Sequence, residues 1–308
     1  MVSPNISSFS GFFLLGFSSQ PLLEMTLFVF IVIFYLLTLL GNAAIILLAH
    51  LDPRLHTPMY LFLSHLSSMD LCYTTSTVPQ LLFNLKGPEK TITYGGCVGQ
   101  LYVALAMGCT ECILLAVMAI DRYVAVCQPL HYTMLMHPRI CLQLVTMTWV
   151  TGLTSSLVQT VLIVQVPLCG RNVIDHVFCE VPALLKLACV DTTFNQMELF
   201  LMSAFLLLVP LFLILISYSC IAKVVWQTRS SEGRRKALGT CSSHLVVVLL
   251  FYGTAMATYL QPPTTPSQNK GKYMALFYGI VTPTLNPFIY SLRNKDMKGA
   301  LRKMIGKE

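Results

Sequence analysis

Seven apolar segments dominate this chain, each long enough to cross the ~30 Å hydrocarbon core of a bilayer as a helix of about 20 residues. They run at roughly Met25–His50, Pro58–Leu82, Gly96–Val126, Ile140–Val166, Gln196–Val225, Ala237–Leu260 and Tyr273–Leu292. Of 308 residues, 55% are hydrophobic and only 11% charged, far below the roughly one-quarter charged share of soluble domains. The composition excludes a soluble globular protein. It predicts an all-α membrane protein, a seven-transmembrane helix bundle. The chain divides into an N-terminal segment (1–24), the bundle (25–292) and a C-terminal tail (293–308).

The positive charges orient the bundle. Lys86, Lys90, Arg171, Lys186, Lys270 and Lys272 fall on the side of the N-terminus, and the rest of the 20 Lys and Arg residues fall on the other. Cytoplasmic loops carry the Lys/Arg excess, so the N-terminus is expected outside and the first helix to act as an uncleaved signal-anchor. Asn5-Ile6-Ser7 is a glycosylation acceptor on that same outer side. The net charge of +7 has no aromatic-basic patch beside it, so it reads as topology and not as nucleic-acid binding. In the tail, Met297, Leu301 and Met304 recur at helical spacing between cations. That pattern predicts a short amphipathic helix lying against anionic membrane lipids.

Of 11 cysteines, Cys97, Cys169, Cys179 and Cys189 are expected outside, where four thiols allow three pairings. Two acids lie inside the spans. At about 1.5 Å per residue, Asp70 stands ~18 Å from Pro58 and Glu111 ~16 Å from Arg122, both measured from the cytoplasmic face. Two acids at one depth should not both ionise without a cation or a shared proton. The stretch MAIDRYVAVCQPLHY (Met118–Tyr132) sets Asp121-Arg122 at the foot of the third span, where a charge pair is affordable. Asn286-Pro287 interrupts the seventh span, and a proline there makes a hinge.

These residues resemble a known family along nearly the whole chain. Leu40-Gly41-Asn42, LHTPMYLFLSHLSSMD (Leu55–Asp70), MAIDRYVAVCQPLHY, Ser217-Tyr218, KALGTCSSH (Lys236–His244) and PTLNPFIYSLRNKDM (Pro283–Met297) are similar to the odorant receptors, a branch of the rhodopsin-like G-protein-coupled receptors. The long outer loop with three cysteines resembles the tetrapod, class II type. Ile120 stands where the family usually has Tyr, and Leu238-Gly239 where Phe-Ser is common.

The resemblance implies a disulfide between Cys97 and Cys179 and another between Cys169 and Cys189. It implies an activation switch built from Asp121, Arg122, Tyr123, Tyr218, Lys236, His244, Asn286, Pro287 and Tyr290, with a stimulatory-type G protein as partner and cyclic AMP as output. A structural Na⁺, or a proton, between Asp70 and Glu111 is the one cofactor expected, with Asn42, Asn286 and Ser67 as polar neighbours.

The ligand pocket is expected in the outer half of the bundle. It should be lined by Ala104, Leu105, Gly108, Cys109 and Cys112 of the third span and by Met202, Ser203 and Leu206 of the fifth. The sixth span should add Phe251, Tyr252, Ala255 and Tyr259, and the seventh Phe277 and Ile280. No Asp on the third span offers to pair an amine, and no Arg on the sixth to clamp a carboxylate. A small, neutral, lipophilic odorant is therefore expected, anchored by Tyr259. The expected location is the plasma membrane. A secondary transporter would need paired repeats and broken helices, and an enzyme a nucleophile–base or metal constellation. The sequence has neither, so no enzymatic activity is expected. The same machinery in a non-olfactory chemosensory role is the remaining alternative.

Overall fold

The computed structural model describes residues 11–17, 20–87, 89–227, 230–260, 268–293 and 295–304. Six spans are single helices: α1 (Pro21–Leu51), α2 (Pro58–Lys86), α3 (Tyr94–Cys127), α5 (Pro138–Val164), α7 (Thr193–Gln227) and α8 (Ser231–Tyr259). Two short helices, α4 (Tyr132–Leu135) and α6 (Val181–Leu185), lie in the connections. The seventh span is composite: α9 (Gln268–Leu276), a π-helical turn (Phe277–Val281) and α10 (Thr282–Arg293). Prolines open α1, α2 and α5 at their first turn, where the missing N–H costs nothing. The expected spans and helices agree to within a few residues at most ends; α1 begins at Pro21 rather than Met25, and α8 begins well before Ala237.

Among the described residues, five helices are by themselves long and apolar enough to cross a membrane: α1, α3, α5, α7 and the Cys241–Tyr259 part of α8. The second and seventh spans fall short, because α2 is rich in Ser and Thr and the seventh is split into three pieces. Both are inserted among the others, so the bundle supplies the partners their polar groups need. The axis of the bundle is α3. Within its most apolar window 61% of residues are buried, against 17% for α7, and it packs on α2, α5, α7 and α8. Outward-facing Val29, Ile33, Leu36, Met147, Val150, Leu157, Leu201, Phe205 and Phe212 remain exposed. An apolar belt of that extent is stable only with hydrocarbon as its solvent.

Helices α3 and α5 approach closely at Gly152. A Cβ built there would sit 1.9 Å from Thr110 Oγ1 and 3.0 Å from the Ala106 carbonyl. Thr110 is fixed in that place by its own bond to the Ala106 carbonyl at 2.7 Å.

One feature departs from an all-helical bundle. Gly11–Leu14 forms β1, which pairs antiparallel with β2 (Thr91–Thr93) and parallel with β3 (Val173–Ile174), giving the order β2-β1-β3. This small sheet lies on the N-terminal side of the bundle. Lys272 secures it: the buried ammonium donates to the Gly16 carbonyl at 2.7 Å, pairs with Asp175 and stands over the Phe17 ring. Glu24 and Lys90 form a second ion pair on the same side. The expected amphipathic tail is α11 (Lys295–Met304), which buries Met297 and Ala300 and exposes Lys298, Arg302 and Lys303.

Candidate functional site

The cavity of the bundle lies between α2, α3, α5, α7, α8 and the seventh span. Its volume is about 140 Å³. Eleven of the expected lining residues reach it: Ala104, Leu105, Gly108, Cys109, Cys112, Met202, Ser203, Leu206, Phe251, Ala255 and Tyr259. They do so because α3, α7 and α8 keep regular helical phase through this depth, so residues three and four apart share the inner face.

Three expected residues lie off the cavity. Tyr252 is buried between α8 and α3, where its hydroxyl donates to the Cys112 carbonyl at 2.8 Å. Phe277 and Ile280 are displaced by the π-helical turn, which inserts an extra residue and rotates the following face. Ile280 instead packs with Ile31, Val78 and Phe178. Tyr278, Thr282 and Pro283 of the seventh span line the cavity.

The remaining lining adds groups of a different character. Glu180, Tyr73, Tyr278 and Gln159 all reach the cavity, as do Asp70 and Glu111. Tyr278 donates its hydroxyl to Glu180 and stands beside Tyr73, with ring centroids 6.4 Å apart. Two disulfides are formed, Cys97–Cys179 and Cys169–Cys189, the pairing implied by the resemblance. The first carries Glu180 to its place: Cys179 is bonded to the top of α3, and its N–H donates to Gln100 Oε1 at 2.9 Å. Adjacency to the loop cysteine was the one sequence signal that pointed to Glu180.

Deeper in the cavity, Asp70 Oδ2 accepts from Asn286 Nδ2 at 3.0 Å. Glu111 Oε1, Asn286 Oδ1 and Asn42 Oδ1 are buried with no hydrogen-bond partner among the described residues. Asn42 turns its amide N–H groups to the carbonyls of Thr38 and Pro283, tying α1 to the seventh span. Two carboxyl groups with spare amide oxygens are an all-oxygen donor set, which fits a hard monovalent cation or a shared proton. Among the described residues no group of three or more His, Cys, Asp or Glu side chains is assembled that would hold a metal ion through those residues alone.

Toward the opposite face, α3 presents Arg122, whose guanidinium lies 3.8 Å from Asp121 with both side chains buried. Tyr132, from the connection after α3, donates to Asp121 Oδ1 at 2.8 Å. Burial, and then the neighbouring Asp121 carboxylate, push the Tyr132 phenol above its ordinary value, so it remains a donor. His244 of α8 bridges two helices. Its Nε2 is 3.1 Å from the Leu115 carbonyl of α3, and its Nδ1 is 2.8 Å from the Tyr218 hydroxyl of α7. Ser243 ties the same turn of α8 to the Ile289 carbonyl at 3.1 Å. Tyr123 packs beside Ile221 and Cys241. Pro287 sits inside α10, and the hydroxyl of Tyr290 is buried without a partner among the described residues. Lys236 lies on α8, its side chain outside the described part, as is Asn5 altogether.

The comparisons with known proteins agree with one another. The olfactory receptor family model matches residues 30–308. Olfactory receptor 2G6 of Homo sapiens is 60% identical over 305 residues, covering 99% of this chain and 96% of that protein. Olfactory receptor 2G3 of Homo sapiens is 59% identical over 301 residues, covering 98% of this chain and 97% of that protein. Olfactory receptor 2B6 of Mus musculus is 56% identical over 301 residues, with 98% and 96% covered. The chain belongs to the olfactory receptor family. The arrangement of this olfactory receptor family member is accordingly that of a seven-helix membrane receptor. Its cavity opens on one half of the bundle, and its Asp121-Arg122 pair lies toward the other.

Proposed function

We propose that this protein is an odorant receptor of the plasma membrane, N-terminus outside, which binds small, neutral, lipophilic molecules in the cavity and activates a stimulatory-type G protein to raise cyclic AMP. One observation carries the reading. Helix α8 lines the cavity with Phe251, Thr254, Ala255 and Tyr259, and the same rigid helix clasps α3 and α7 through His244. A ligand that shifts α8 at the cavity works against that clasp. Releasing it frees Tyr218 and α7 to move relative to Arg122, where the G protein engages. A ligand favours the active state only by its differential affinity for it. The small apolar contacts of this cavity discriminate by only ~1–3 kcal/mol per group, so tuning is broad.

Asp70 and Glu111 hold Na⁺ or share a proton at the floor of the cavity, between ligand and switch. The oxygens of Asp70, Glu111 and Asn286 would hold the ion, which supplies the charge balance that two buried acids lack. If bound Na⁺ acts there, Glu111→Gln removes the sodium sensitivity of signalling; unchanged sensitivity contradicts the cation.

The function is tested by a cyclic-AMP reporter in cells expressing the full chain, challenged with a chemically diverse odorant panel. Wild type responds to a subset of the panel, and Arg122→Ala at equal surface density does not. A response that survives Arg122→Ala would separate the signal from this switch.

A further inference from the structure

The cavity is unbalanced in its charge-bearing side chains. Three carboxyl side chains, Asp70, Glu111 and Glu180, line it, while no Lys, Arg or His does among the described residues. Glu180 is buried, and no ion pair involving it occurs among the described residues; the Tyr278 hydroxyl is its hydrogen-bond donor. Gln159 adds a second, independent sign. It is 5% exposed, donates its Nε2 to Glu198, and leaves its Oε1 in the cavity wall without a partner among the described residues. Buried acceptors without donors are costly, by roughly 1–3 kcal/mol each. A ligand that brings a donor recovers that cost.

The acceptor position is also rigid. The backbone of Glu180 is fixed by the Cys97–Cys179 disulfide before it, and its own carbonyl accepts from Ala183 and Leu184 to start α6. With that backbone held and its carboxyl group bonded by Tyr278, Glu180 presents its acceptor from a set place in the wall.

We infer that the cavity selects neutral lipophilic ligands bearing a hydroxyl head, alcohols and phenols, which donate to Glu180, and that it rejects carboxylic acids. An ether of the same shape can accept from a tyrosine but cannot donate. An ionised acid meets three carboxyl groups and no cation. The inference rests on this cavity being the odorant site, and it names the chemical class that site takes.

The test reads binding separately from signalling. Purified full-length receptor is heated with a series of linear, cyclic and aromatic alcohols, each matched by its methyl ether and its carboxylic acid near neutral pH. Every variant is referred to its own unliganded midpoint. At least one alcohol raises the midpoint, and its ether needs about tenfold or more higher concentration for the same rise, the loss expected when a buried acceptor goes without its donor. The acids give none. In Glu180→Gln, whose amide offers donors as well, the alcohol-to-ether gap falls below about threefold. Ethers equal to alcohols in wild type, acids that stabilise, no alcohol that stabilises, or a gap unchanged in Glu180→Gln would each overturn the inference. The wild-type series alone decides if the variant does not fold. Alcohols that bind this way without raising cyclic AMP would leave the inference standing and contradict the coupling instead.

Discussion

Tyr218 donates its hydroxyl to Nδ1 of His244 at 2.8 Å, and the direction of that bond follows from the other side of the ring. Nε2 faces the Leu115 carbonyl, which can only accept, so Nε2 carries the hydrogen and Nδ1 is left as the acceptor. A single neutral histidine thereby joins α3, α7 and α8. His244→Phe keeps the ring but loses both bonds, each worth about 0.5–1.5 kcal/mol net. Ligand-free cyclic AMP, normalised to surface density, is expected to rise several-fold to about tenfold. Tyr218→Phe spares the Leu115 bond and should raise it less. Equal or reversed effects would remove His244 from the clasp.

The Tyr132 hydroxyl holds Asp121, the buried partner of Arg122. Removing that donor in Tyr132→Phe leaves a buried carboxylate short of one bond, at a cost of about 1–3 kcal/mol. A lowered thermal midpoint of the purified receptor is the expected result, and Leu130→Ala, at an exposed position nearby, should leave the midpoint unchanged.

Gly152 admits α5 against α3. Thr110 Oγ1 would lie 1.9 Å from a new Cβ and is itself hydrogen-bonded, so it cannot give way freely. Gly152→Ala is expected to destabilise by about 1–3 kcal/mol through overpacking. Thr110→Ala should rescue part of that loss when combined with it. Flow cytometry of surface-labelled cells reads both.

The two disulfides close loops of different length, with sequence separations of 82 and 20. On the chain-entropy account they constrain the unfolded chain by about 4.5 and 3.3 kcal/mol. Cys97→Ser should therefore lower stability more than Cys169→Ser does. It should also weaken ligand binding, because the longer bridge positions Glu180. Thermal midpoints and ligand-dependent shifts separate the two effects.

Much of this was legible in the sequence because a bilayer allows so little. Backbone groups in hydrocarbon must be satisfied within a helix, so apolar runs gave the spans directly. Regular helical phase then brought eleven expected residues of α3, α7 and α8 to the cavity, while Tyr252 of α8 turns to the Cys112 carbonyl instead. Phase failed where the backbone departs from 3.6 residues per turn: the π-helical turn turned Phe277 and Ile280 away and brought Tyr278 in. Glu180 was hidden for another reason. It comes from a loop, and only the disulfide to α3 carries it over the cavity. The pairing of Gly11–Leu14 with two distant strands is likewise non-local, and no period in the chain announces it. Nothing local marks Gly152 in its apolar helix, and only the contact with Thr110 shows that it must be glycine.

Gly108 offers the most direct test of an odorant cavity coupled to Arg122. It lines the cavity, and nothing lies within 4 Å of a Cβ built on it. A side chain at Gly108 therefore starts in open space, and Gly108→Phe fills part of the ligand's volume. Dose–response curves for cyclic AMP should show wild-type surface density, unchanged ligand-free signalling and a loss of odorant potency of about tenfold or more, as expected when a ligand is denied ~1.4 kcal/mol or more of contact. Undiminished potency at equal surface density would contradict the placement of the odorant in this cavity.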